Sequence, residues 1–221
     1  MPNTIEGSLH VAGRVTAESM TVPADSVVNA SVSSDAAIAR SKLAQDVLKP
    51  YTIPLTDMRT HDAFQTVLPG TSSSNDLALV GGTFGTNAPN LQTADLKNAG
   101  ATSNYARFVC TLPAEYDAGQ TIVLRVTAGM LTTVASASST IDVECYRSDE
   151  DNTVSADLCA TSAASCNSLT FANLDFTITA TDRVAGDILD IRLTSAVNDS
   201  ATGTAVIACI SAVKLMVDVK G

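Results

Sequence analysis

The chain has 221 residues, 45% of them hydrophobic, which is enough for one sizeable domain with a further segment. Its net charge of −10 lacks the basic footprint that nucleic-acid binding requires, and no apolar run approaches the roughly eighteen residues of a membrane span. Aromatics make up 4% and charged residues 16%, so the apolar mass is Val, Ile, Leu and Ala, and the polar mass is Ser, Thr, Asn and Asp; this excludes neither an assembly subunit nor a secreted protein.

In chain order, residues 1–50 hold few large apolar side chains. The opening stretch has neither the basic start nor the continuous apolar core of a signal peptide, so the expectation is synthesis in a cytoplasm. Leu9, Val11 and Val15 share one alternating phase around Gly13, which predicts a short extended segment ended by Pro23. Ser33 or Ser34 can cap a helix beginning at Asp35, whose carboxylate suits the positive end of the helix dipole. Its narrow Ile38–Leu43 stripe is too short to be stable alone and needs a partner surface. Pro50 closes this arm.

Residues 51–221 then give candidate strands over 63–68, 77–84, 105–112, 121–128, 140–147, 169–178, 187–193 and 205–219. Ala106, Phe108, Cys110 and Leu112 alternate with Tyr105, Arg107, Val109 and Thr111; Ile141, Val143 and Cys145 alternate with Asp142, Glu144 and Tyr146. One apolar and one polar face per strand predicts antiparallel sheets with one side on a core. Turn-rich stretches separate the strands, and no helical period intervenes. The predicted fold is all-β: an antiparallel, jelly-roll-like sandwich over 51–221, preceded by an arm over 1–50 with one short strand and one short helix.

The search for chemistry finds no nucleophile elbow, no zinc-protease motif and no spacing that pairs carboxylates for glycoside hydrolysis. No catalytic residue is assigned and no cofactor is expected. His61 stands beside Asp62, but adjacency in sequence is not triad geometry, and a hydrogen-bonded loop histidine is the simpler reading. Asp149 and Asp151 are candidate Ca²⁺ ligands, against the plainer reading of a solvated hairpin tip. Of five cysteines, Cys110, Cys145 and Cys209 fall on apolar phases as buried thiols, whereas Cys159 and Cys166 flank a small-residue loop and stand either free or paired as a disulfide. The exposed aromatic rings that sugar binding favours are in short supply: Tyr51, Tyr105, Tyr116 and Tyr146, with the Phe side chains mostly in core phase.

The pattern from Gly7 to Met20, followed by Asn29 to Gln45 with its small-residue helix and Ser41-Lys42-Leu43, resembles N-terminal segments of tailed-bacteriophage structural proteins, covering about a fifth of the chain. The resemblance implies an arm that attaches the subunit and binds its mates, with Leu9, Val11, Val15, Ile38 and Leu43 as its contact residues, and a β-rich domain that projects outward. It implies a virion-surface protein, a capsid decoration or head-fibre subunit. Its partners would be its own copies, a trimer being favoured, and the major capsid protein or other virion proteins; neither nucleic acid nor membrane is among them. Two other readings stand beside it: a tail-fibre subunit that recognises a host glycan, and a non-viral filament or surface-layer subunit.

Overall fold

A computed structural model of the chain describes residues 48–220 except 73, 74, 136, 149, 150 and 202. These residues belong to the second of two units, whose boundary falls between Gln45 and Asp46. The expected arm contacts Leu9, Val11, Val15, Ile38 and Leu43, the expected helix, and Asp149 of the candidate cation pair lie outside the described residues.

Among the described residues, ten strands form two antiparallel sheets: β1 (Leu48–Ile53), β2 (Ala78–Val80), β3 (Asn90–Gln92), β4 (Gly100–Thr111), β5 (Ile122–Met130), β6 (Ala137–Arg147), β7 (Ala164–Ser165), β8 (Ala172–Ile178), β9 (Ile188–Asp199) and β10 (Ala208–Asp218). The larger sheet runs β2-β3-β10-β5-β8, with β1 also paired to β10; the smaller runs β4-β9-β6-β7. From β3 onward the pairing is nested. β3 joins β10, β4 joins β9, β5 joins β8 and β6 joins β7, as if one long hairpin had been wrapped across two sheets. That winding is the jelly roll expected from the sequence.

The alternating residues explain the layers. Phe108, Ile141, Leu189, Ile191 and Leu193 from the smaller sheet face Leu124, Val126, Phe176, Val213, Leu215 and Val217 from the larger, all essentially without solvent contact. Burial of this apolar area, at roughly 25 cal/mol per Å², is the main favourable contribution to folding.

Several boundaries differ from the sequence reading. Leu48, Lys49 and Pro50 belong to the body, because β1 pairs with β10 from Leu48↔Asp218 to Ile53↔Val213. Among the described strands β1 borders only β10, and an edge strand tolerates a proline whose missing N–H faces away from its neighbour. Residues 63–68 form no strand; they loop back so that Arg59 bridges Val67. The stretch 98–104, read as a turn, enters β4 at Gly100, and β9 extends to Asp199 through residues also read as a turn. Asn98 and Ala99 take positive φ values of 60° and 63° just before β4, so the tight turn is two residues long.

Candidate functional site

The outer face of the smaller sheet carries the densest polar arrangement of the body. Side chains on β4, β9 and β6 that alternate with the buried residues form cross-strand rows. Arg107, Arg192 and Glu144 make one row, and Tyr105, Thr194 and Asp142 the next; Asp190 and Tyr146 stand opposite each other in a third. The pleat places them there, since their neighbours Phe108, Ile191 and Cys145 point into the core.

Two segments flank this face. On the β4 side, Arg59 and Arg107 exchange backbone hydrogen bonds of 2.8 and 2.9 Å, and Tyr105 bonds the backbone of Asn75 and Leu77. This holds His61, Phe64 and Asp76 beside β4. On the β6 side, Ser148 and residues 151–158 fold back: Ser148 bridges Val154, the Arg147 N–H donates to Ser155 Oγ at 2.9 Å, and the Leu158 N–H donates to the Cys145 carbonyl at 2.7 Å. Short stretches of β4 and β6 are thereby occupied by neighbouring backbone.

A cavity of about 310 Å³ lies between these flanks, with Arg107, Asp190, Arg192, Glu144 and Tyr146 on the sheet and His61, Asp62 and Val154 from the sides. Its charged groups are tied to one another. Arg107 Nε donates to Asp190 Oδ1 at 2.7 Å and Nη2 donates to Oδ2, a bidentate pair that raises the guanidinium pKa further. Arg107 also lies 5.1 Å from the Phe64 ring centre. Arg192 pairs with Glu144 and sits 5.2 Å from the Tyr105 ring, whose centre is 4.4 Å from that of His61. His61 stands between two carboxylates, Nε2 at 3.1 Å from Asp62 and Nδ1 at 3.5 Å from Asp76. Burial, then the neighbouring Glu144 and Asp157 carboxylates, push the Tyr146 phenol upward.

A second cavity of about 250 Å³ follows along the same strands, lined by 101–103 of β4, 196–198 of β9 and 138–140 of β6. Its side chains are small or hydroxylated apart from Val197 and Asn198. The row Tyr105, Thr194, Asp142 separates it from the first cavity.

The first cavity has no serine, threonine, cysteine or lysine in its lining, and Asp190 and Glu144 are each engaged by an arginine. The arrangement offers fixed donors and acceptors held in place by ion pairs. Asp151 Oδ1 accepts from the Thr153 N–H at 3.0 Å and from its hydroxyl at 2.6 Å, closing a local turn. Among the described residues no group of three or more His, Cys, Asp or Glu side chains is placed to hold a metal ion.

Cys159 and Cys166 are both free, which corrects the disulfide alternative. Cys166 Sγ lies 3.1 Å from the Ser139 hydroxyl on β6, and Cys159 Sγ faces the Thr161 carbonyl at 3.8 Å, so each thiol has its own partner. Burial pushes the Cys110 and Cys209 thiols up to about 12 and raises those of Cys145, Cys159 and Cys166 as well. Of the tyrosines, Tyr116 is fully buried and donates to the Gln120 carbonyl at 2.7 Å, while Tyr51 donates to Glu115 at the far edge of the larger sheet. Phe84, assigned to a strand from the sequence, instead stands wholly exposed in a turn at 83–87.

No family model matches the chain, and no curated protein matches it. Among solved structures it is similar to the xylan-binding module CBM15, with 12% identity over 79% of this chain and 99% of that one, at a TM-score of 0.41. The CBM22-1 xylan-binding domain from Paenibacillus barcinonensis Xyn10C is 9% identical over 80% of this chain and 100% of that one, at a TM-score of 0.40. The structure of infectious bursal disease virus Gt strain is 10% identical over 69% of this chain and 42% of that one, at a TM-score of 0.31.

Proposed function

We propose that the chain is a non-enzymatic structural subunit of a virion surface, of the capsid decoration or head-fibre kind, in which residues 1–47 attach and the sandwich is displayed. The observation that carries this reading is how the polar surface of the sandwich is used. Arg107–Asp190 and Arg192–Glu144 on one outer face, and Arg125–Asp175 on the other, clamp neighbouring strands together, which suits a rigid body held out from the surface. The likeness of Gly7–Met20 and Asn29–Gln45 to phage structural proteins supports the placement. Each copy would bury apolar area on the shell and on its mates, and many weak contacts would add through multivalency.

Immunogold electron microscopy and mass spectrometry of purified particles test the reading. Many copies spread over the head are expected. A few copies at the tail tip would move the subunit to a fibre, and absence from particles would overturn the assignment.

A further inference from the structure

The two cavities on the smaller sheet lie end to end along one strand. From Asp190 to Asn198, β9 rises about 27 Å at ~3.4 Å per residue, and its outward side chains belong to the first cavity, the dividing row and the second cavity in turn. We propose that this face is a single elongated site for a linear, neutral oligosaccharide lying along β9.

Three observations favour this class of ligand. The first-cavity lining holds two arginines against three carboxylates, those of Asp62, Glu144 and Asp190, in a chain of net charge −10. Polyanions, nucleic acid and acidic sugars included, meet no positive field here. The charged groups of the floor are paired, Arg107 with Asp190 and Arg192 with Glu144, and their partly exposed side chains meet water, although Arg192 Nε is itself buried without a hydrogen-bond partner. Sugar hydroxyls both donate and accept, so they replace that water without stranding a charge. A protein partner would have to desolvate the same ion pairs with apolar side chains, and the cores of protein interfaces are depleted in such charges.

The third observation is the asymmetry of the two ends. Tyr146, beside Val154, offers an aromatic ring at one end. The other end has Ser103, Thr140 and Asn198 around Ala101 and Ala196, whose small side chains leave room for a ring with its hydroxyls directed to the strand. One sugar would anchor on Tyr146, and the following units would run over Thr194 toward Asn198.

The full chain is tested on an array of linear neutral and acidic oligosaccharides, and the best neutral ligand is then titrated calorimetrically as its disaccharide and hexasaccharide. A neutral chain is expected to bind, the hexasaccharide more tightly. Tyr146→Ala should weaken both about tenfold. Asn198→Ala, at an exposed position, should weaken only the hexasaccharide, and Thr194→Lys should block it; unchanged melting temperatures exclude misfolding. Silence across the array, including silence with a protein partner captured instead, overturns the proposal. So does preference for acidic chains, equal affinity for the two lengths, or binding that survives both Tyr146→Ala and Thr194→Lys.

Discussion

Arg107 on β4 and Asp190 on β9, 83 residues apart in sequence, meet side-on through two parallel hydrogen bonds, Nε reaching Oδ1 at 2.7 Å and Nη2 reaching Oδ2. They are diagonal neighbours in the ladder, since Arg107 stands opposite Arg192 and Asp190 opposite Val109. The same guanidinium packs on Phe64, so one side chain links the flanking segment to the sheet.

Arg107→Ala is expected to destabilise the body by about 1 kcal/mol. The bidentate geometry favours a larger value and partial solvent screening reduces it. Arg107→Lys should recover little, because an ammonium lacks the planar fork. The check is the urea midpoint at unchanged slope.

Glu115 supplies the acid-side prediction. Its carboxylate accepts from Lys49 Nζ and from the Tyr51 hydroxyl, both at 2.6 Å, and these bonds, Lys49 first, hold it at about 2 against an ordinary 4.5. A depressed carboxylate contributes stability that is fully present above its unfolded value and is lost as pH falls through the folded one. Stability should therefore decline between pH 4.5 and about 2, and Glu115→Gln should flatten that part of the curve. A variant with the same acid limb as the parent would exclude Glu115 as its source.

The thiols should be silent in the folded protein. The thiolate is the reactive form, and burial raises all five pKa values, Cys110 and Cys209 to about 12. Titration with a chromogenic disulfide near neutral pH is expected to reach Cys159 first and slowly, because it is among the less buried thiols and lies on a loop. All five should react in denaturant. Fast stoichiometric labelling of Cys145 in the native protein would contradict the packing described.

Gly129 tests the close approach of the 168–171 segment to β5. A Cβ there would stand 2.9 Å from the Phe171 ring and 3.0 Å from the Ser168 carbonyl oxygen, which is backbone and cannot rotate away. Gly129→Ala should cost about 1–3 kcal/mol through overpacking, read as a lowered thermal midpoint.

The sandwich was legible wherever side-chain alternation was strict. Ala106 and Phe108, or Ile141, Val143 and Cys145, declare a buried face in any register. The signal failed in two kinds of place. Asn90–Gln92 and Ala164–Ser165 are too short to show a period, and become β3 and β7 only because β10 and β6 offer them a ladder. Gly100–Asn104 is poor in strand-forming residues, yet a continuous ladder with β9 holds it extended, and its small side chains line the second cavity. The site was legible only residue by residue. Tyr105, Arg107, Glu144 and Tyr146 were placed on polar faces, but their convergence depends on β9 lying between β4 and β6, a pairing that no local pattern encodes.

The central position of β10 has a consequence for biosynthesis. This strand borders β1, β3 and β5, so three earlier segments share a neighbour that leaves the ribosome after all of them. The larger sheet cannot complete itself before this strand is made, and the emerging polypeptide must carry open hydrophobic edges until Ala208–Asp218 appears. Folding of this sheet is thereby postponed until that strand emerges, and a nascent chain stalled before it is a substrate for chaperones.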